Sequence, residues 1–219
     1  FEQMTPGAPR VAFPDRRPTM GFHFSKMMEL QGFDEAAPPA SQLFGGAGVE
    51  YQKRYGVSDE VFAMISVKAR RHAANNPLAV FREPLTLEEV LASPRLYGPV
   101  TRFQACPPTC GAAAAVLVSP GFAARHGIDA PVEIVAQAFK TDFQSTWEGC
   151  SMMSVVGYDM ARAAADQVYE ASGVSPDDVD VVELHDCFTA NELITYEALR
   201  LTPEGTAERY IRDGQNTYG

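Results

Sequence analysis

The apolar positions Val61, Ile65 and Ala69 recur every fourth residue after Ser58, the spacing that lays one stripe along a helix. Ser58 reads as its N-cap, and Asn76-Pro77 ends it after about Ala74, because the residue before a proline is pushed out of helical backbone. Thr86 and Glu89 form a capping box ahead of a short helix that closes at Ser93-Pro94. A further short helix is predicted from Ser41 to Arg54. The rest of residues 1 to about 57 is rich in Pro, Gly and aromatic side chains with weak periodicity, so the first half reads as an irregular, mainly helical region.

From Gly111 the pattern changes. Ala112 to Val118 is a compact apolar run, Ser119-Pro120 opens a helix, and Gly127 closes it. Val132, Ile134, Ala136 and Ala138 alternate as a strand does. Asp159 caps a helix with Ala161, Ala164, Ala165 and Val168 on one face and Gly173 as its stop. Val179 to Leu184 is short and β-branched, a strand with a buried face. Thr189 and Glu192 then repeat the capping-box spacing, and Ala190, Leu193, Ile194, Ala198 and Leu201 recur at helical intervals until Pro203 and Gly205. Strand, helix and strand in this rhythm predict βαβ units, an α/β class and a mixed sheet with flanking helices.

The tetrad His185-Asp186-Cys187-Phe188 lies where that last strand gives way to its helix, the corner at which open α/β sheets place their chemistry. His185 has two readings: a buried imidazole satisfied by a backbone carbonyl, or a ring directed into a crevice. Asp186 orients the corner by accepting backbone N–H bonds or is stabilised by the helix N-terminus. Cys187 follows on the opposite face and reads as a small buried hydrophobe, and Phe188 as core.

Composition narrows the classes. At 219 residues, 46% hydrophobic and 21% charged, the chain can bury one large core or two modest ones. Its net charge of -10 argues against a nucleic-acid surface. The basic cluster Lys68 to His72 reads as a solvated helix face, with attraction of substrate phosphates as the rival. Cys106, Cys110, Cys150 and Cys187 are too irregularly spaced for a disulfide framework, which fits a reducing cytoplasm. Cys106 and Cys110 could be half a metal site, but no second closely spaced pair completes it, so no metal is expected. No apolar run approaches the roughly 20 residues needed to cross a bilayer. Gly45, Gly46 and Gly48 read as a tight turn rather than a phosphate cradle, and His23, His72 and His126 as surface residues.

The segment VVELHDCFTANELITYEAL resembles the thiolases, in the branch related to sterol carrier protein X and the bacterial lipid-transfer-protein thiolases. Degradative thiolases carry Asn-Glu-Ala-Phe where this chain has His-Asp-Cys-Phe. FEQM, FGGAG with YQKRYG, HAANNP, CPPTCGAAAAVL, VVGYDM and DGQNTYG follow the same family in order. The resemblance implies a partial thiolase fold. Residues 1–108 would be the loop domain with the end of the N-terminal half, and 109–219 the last strand of that half and the opening of the C-terminal half. It also implies that the family's nucleophilic cysteine and its Gly-His-Pro histidine lie outside this chain, which looks like the middle of a thiolase.

The activity implied is acyl transfer to coenzyme A through a cysteine acyl-enzyme, as in fatty acid β-oxidation, with no tightly bound cofactor. The alternatives are a non-catalytic lipid or acyl-CoA binder, and a subunit that needs a partner chain. By position His185 would help build the oxyanion hole, with Asp186 beside it, and Cys106 aligns with a serine that contacts coenzyme A in degradative thiolases. Cys110 departs from the family, where an aspartate usually precedes the glycine. The resemblance further implies a homodimer or homotetramer, cytoplasmic in a bacterium or peroxisomal in a eukaryote.

Overall fold

Thr86 accepts the Glu89 amide on its hydroxyl at 3.2 Å while the Glu89 carboxylate accepts the Thr86 amide at 2.8 Å, so the capping box read from the sequence forms as expected. It starts one helix in a computed structural model that describes residues 14–16, 18, 20–129 and 132–218. The motif Phe1-Gln3-Met4 with Glu2 lies outside the described residues.

The helices are α1 Gly21–Gln31, α2 Pro39–Tyr55, α3 Asp59–Ala74, α4 Leu87–Ala92, α5 Pro120–His126, α6 Gln144–Glu148, α7 Met152–Val155, α8 Tyr158–Ser172, α9 Thr189–Ala198 and α10 Ala207–Arg212. Strands β1 Arg95–Tyr97 and β2 Val100–Thr101 pair antiparallel as a small hairpin. Helices α2, α3, α4, α5 and α8 fall where periodicity places them, but Asp159 does not cap α8. Gly157 holds that N-cap position, and Asp159 lies inside the helix and accepts the Ser154 hydroxyl at 2.6 Å, while Ser58 sits at the N-cap of α3 without a side-chain cap bond. Ser119 caps α5 by accepting the Phe122 amide at 3.2 Å, and Gly127 and Gly173 end α5 and α8 at φ 60° and 73°, backbone that glycine adopts without a Cβ penalty. Helix α1, inside the stretch read as irregular, has no side-chain cap to announce it.

Three segments read as strands behave differently. Residues 112–118, 132–138 and 179–184 make no ladder with one another among the described residues, and Val116, Val132 and Val181 are exposed. Alternation selects the backbone that could pair, but a strand exists only where a neighbour supplies its hydrogen bonds. The described sheet is therefore the β1–β2 hairpin.

The core draws on both sides of residue 108. Tyr51, Phe62 and Ile65 from α2 and α3 pack with Met153, Leu193 and Ile194 from α7 and α9. Helix α9 lies against α2, α3, α8 and α10. It is buried on several faces rather than along one stripe, so Glu192, Tyr196 and Glu197 are buried too and take partners from other elements. Tyr51 donates to Glu197, and Lys68 pairs with Glu192. Glu50 on α2 accepts the Ser151 hydroxyl at 2.8 Å and the Met153 amide at 3.2 Å, which caps α7 from another helix. Gly45, Gly46 and Gly48 sit inside α2, not in a turn; they let it approach β1, α1 and Pro99 closely.

Candidate active site

The corner before α9 is built from both halves of the chain. Ala105 and Phe188 form an isolated antiparallel bridge, and the Cys106 amide donates to the Cys187 carbonyl at 2.9 Å. Phe188 is buried and stacks on Phe44 of α2, with ring centroids 5.1 Å apart. Gln104 is buried behind the bridge. Its carbonyl oxygen accepts from the Thr101 amide and hydroxyl, each at 3.0 Å, and its amide donates to the Thr189 hydroxyl at 3.3 Å.

Thr189 and Glu192 do not form the capping box that their spacing predicts. Phe188 occupies the N-cap position, and α9 begins without a side-chain cap. The Thr189 hydroxyl is engaged by Gln104, and the Glu192 carboxylate accepts from Lys68 and from the Tyr196 hydroxyl. Tertiary partners outcompete the local cap because Glu192 is buried and its charge requires a cation. Burial, and then the Glu192 carboxylate, push the Tyr196 phenol well above its ordinary range, so it remains a hydrogen-bond donor.

His185 and Asp186 are both exposed. Among the described residues the His185 ring makes no hydrogen bond or ion pair, so the reading of a buried, carbonyl-satisfied imidazole does not describe it. Its backbone is held instead: Asn191 Nδ2 donates to the His185 carbonyl at 2.6 Å. Asp186 accepts no hydrogen bond among the described residues, so it does not orient the corner through backbone N–H groups. Cys187 is buried as expected. Burial, with Cys106 nearby as the second cause, pushes its thiol up to about 12, so at neutral pH it is held protonated.

Asp186 and Cys106 meet on the wall of an open cleft of about 1430 Å³. Its lining includes Ile65, Ala69 and Ala73 of α3 together with Val80, Phe81 and Leu85. Arg70 spans it, with its guanidinium 4.7 Å from the Phe81 ring centroid and 6.0 Å from that of Phe103. Arg102 adds a second cation to the lining, and Glu192 reaches it from α9. The His185 ring is not part of this lining.

The basic cluster Lys68 to His72 is thus not a uniformly solvated face. Lys68 turns inward to Glu192, Arg71 donates to the Thr217 hydroxyl at 2.5 Å, and His72 is half-buried against Thr217 and Tyr218. Arg70 alone of the four turns to the cleft. His23, also read as a surface residue, is half-buried between Asp142, 3.4 Å away, and the Trp147 ring.

Sequence reasoning missed Asn191 and Gln104, and it flagged the cluster holding Arg70 without separating Arg70 from its neighbours. An Asn at the third position of a helix is a weak signal, since such side chains bond nearby backbone groups. Gln104 acts through Thr189, far along the chain, and leaves no local signature.

The chain is similar in sequence to known proteins. Residues 144–219 match the thiolase C-terminal domain-like family. Over 220 residues the chain is 44% identical to sterol carrier protein 2 of Oryctolagus cuniculus, covering all of this chain and 40% of the relative. Benzoylsuccinyl-CoA thiolase subunit BbsB of Thauera aromatica is 38% identical over 169 residues, 77% of this chain and 43% of that protein. Acetyl-CoA acetyltransferase of Methanothermobacter thermautotrophicus is 33% identical over 172 residues, 78% of this chain and 44% of that protein. The chain therefore spans less than half the length of these relatives. A solved structure titled Ltp2-ChsH2(DUF35) aldolase superposes with a TM-score of 0.70 at 23% identity, covering 91% of this chain and 51% of the other, and shares the fold.

Proposed function

We propose that this chain, which belongs to the thiolase family, carries the acyl-CoA cleft and part of the oxyanion apparatus of a thiolase-type acyltransferase. The observation that carries this reading is the single cleft that brings Asp186 and Cys106 together with Arg70 and Arg102. A coenzyme A thioester needs an apolar channel for its pantetheine arm and acyl group, and cations for its phosphates. The walls formed by Ala69, Ala73, Val80 and Leu85 suit the first, and the two guanidiniums the second.

In this reading the loop domain and the end of the N-terminal half occupy 1–108. Residues 109–219 hold the last strand of that half and the opening of the C-terminal half. Acyl transfer proceeds through attack of a cysteine thiolate on the substrate and puts negative charge on the thioester oxygen. The nucleophile comes from outside the positions of this chain, since Cys106, Cys110, Cys150 and Cys187 match no family nucleophile. His185, exposed beside the cleft wall at the head of α9, meets the developing oxyanion through a ring N–H or a water it holds. Asp186, the next residue, lines the cleft wall at the same helix N-terminus. Cys106 contacts the pantetheine arm. The working enzyme is a homodimer or homotetramer, with coenzyme A as co-substrate.

A second reading is a lipid or acyl-CoA carrier without chemistry, favoured by the apolar walls of the cleft and by relatives named sterol carrier protein 2. Titration of the 219-residue chain with coenzyme A, followed by calorimetry, tests the shared premise. Binding that is lost in Arg70→Ala is expected, and unaltered binding in that variant overturns the placement. Turnover of acetoacetyl-CoA with coenzyme A by the longer enzyme containing this chain separates acyltransferase from carrier. The 219-residue chain alone is expected to bind without turnover.

A further inference from the structure

Cys106 and Cys187 stand opposite one another. In an antiparallel pair one step forward on one strand meets one step back on the other, so the bridge between Ala105 and Phe188 sets Cys106 against Cys187. The hydrogen bond from the Cys106 amide to the Cys187 carbonyl, 2.9 Å, fixes that register. Residues opposed as a hydrogen-bonded pair have Cα atoms about 5.5 Å apart and side chains on one face. A disulfide spans Cα separations of about 4.4–6.8 Å, so the backbone is already spaced for one.

The two thiols differ in access. Cys106 is exposed on the cleft wall, and Cys187 is buried behind it. An oxidant from solvent meets Cys106 first, and Cys187 is placed to resolve what forms there.

We propose that Cys106 and Cys187 are an oxidisable dithiol at the cleft wall, joined by peroxide into an intramolecular disulfide. Hydrogen peroxide transfers one oxygen to the Cys106 sulfur, giving a sulfenic acid and one water. The Cys187 sulfur then attacks the Cys106 sulfur, the S–O bond breaks, and the hydroxyl leaves as a second water with the proton of Cys187. Two thiols lose two electrons and two protons, and the peroxide O–O bond takes them up. Because Cys187 is held protonated by burial, the resolving step is slower than disulfide formation between exposed thiols and speeds up with rising pH. The disulfide clamps the turn that carries His185 and Asp186 onto the 105–108 segment of the cleft wall. The inference stands on the pairing geometry and does not require the acyl-transfer reading.

The test uses the reduced 219-residue chain treated with hydrogen peroxide, digested without reductant and mapped by mass spectrometry. The expected product is a peptide pair joining Cys106 to Cys187, two hydrogens lighter than the sum of its reduced parts and separated again by dithiothreitol. It should form equally in a Cys110→Ser, Cys150→Ser double variant, which leaves both proposed partners untouched. Cys187→Ser should leave Cys106 to be trapped by dimedone as a sulfenic acid. Pairing of Cys106 with Cys110 or Cys150 in the unaltered chain, over-oxidation of Cys106 while Cys187 stays a thiol, or survival of both thiols would each overturn the proposal.

Discussion

Asn191 Nδ2 donates to the His185 carbonyl at 2.6 Å, so a side chain in the first turn of α9 holds the backbone of the residue on which the proposed oxyanion role depends. This bond acts on the direction of the corner rather than on chemistry. Asn191→Ala in the longer enzyme is expected to lower kcat several-fold with KM little changed, and to cost about 1 kcal/mol of stability, the net worth of one hydrogen bond. Steady-state kinetics with urea unfolding of the same variant measure both. An unchanged kcat would mean the corner is held without this bond.

His185→Ala in the same enzyme should lower kcat by roughly a hundredfold or more, the scale of losing one oxyanion donor. Stability should hardly change, because the ring is exposed. His185→Asn, which restores the residue of degradative thiolases, is expected to recover part of the rate if the ring holds a water, and almost none if it moves a proton. The ratio of the two kcat values reads out the difference.

Lys68 is the cation paired with the nearly inaccessible Glu192. Lys68→Met leaves that carboxylate with hydroxyl support only, and an expected loss of about 3–5 kcal/mol follows from an uncompensated buried charge. Adding Glu192→Gln should recover most of the loss, since the orphaned charge goes with it. Urea midpoints of the single and double variants decide the point.

His72 stacks on Tyr218 and shares a 2.7 Å hydrogen bond with Thr217. Burial, then the charges of Lys68 and Arg71, hold its imidazole below the ordinary value of 6.5. Between the folded value and 6.5 the unfolded chain binds a proton that the folded chain does not, so stability is full above that window and falls as pH is lowered through it. His72→Gln should flatten this dependence, as measured by urea midpoints at about pH 7.5 and about pH 5.5.

Gly48 lies in α2 where an added Cβ would meet Pro99 Cγ at 2.8 Å and Ala190 Cβ at 3.3 Å. Neither neighbour is the far end of a flexible side chain. Gly48→Ala, a change that ordinarily favours a helix, is expected to destabilise here by about 1–3 kcal/mol through overpacking. Thermal unfolding of the variant checks the sign.

The helices were legible because their signals are local. Thr86 with Glu89, Ser119 with Pro120, Gly127 and Gly173 act within a turn of where they stand, and each forms its cap or stop as read. The apolar periodicity of Ala190, Leu193, Ile194 and Ala198 likewise marks residues that are fully or almost fully buried. Glu192 shows the limit. The same Thr-x-x-Glu spacing that makes a cap at Thr86 makes a buried ion pair at Thr189, because Lys68 and Tyr196 reach this second carboxylate and leave the first to solvent.

The sequence by itself determined where α4 and α5 start and stop, which family motifs the chain carries, and that the His185 corner heads a helix. Those properties rest on neighbours within a few residues, or on motif order, and need no knowledge of the far chain. Tertiary structure decided that Asp186, not the His185 ring, lines the cleft, and that Arg70 reaches that cleft while Lys68 turns inward. It also decided that Cys106 faces Cys187. Each of these joins residues from distant parts of the chain through packing of α3, α9 and the Ala105–Phe188 bridge, and side-chain direction there follows from which partner is buried alongside.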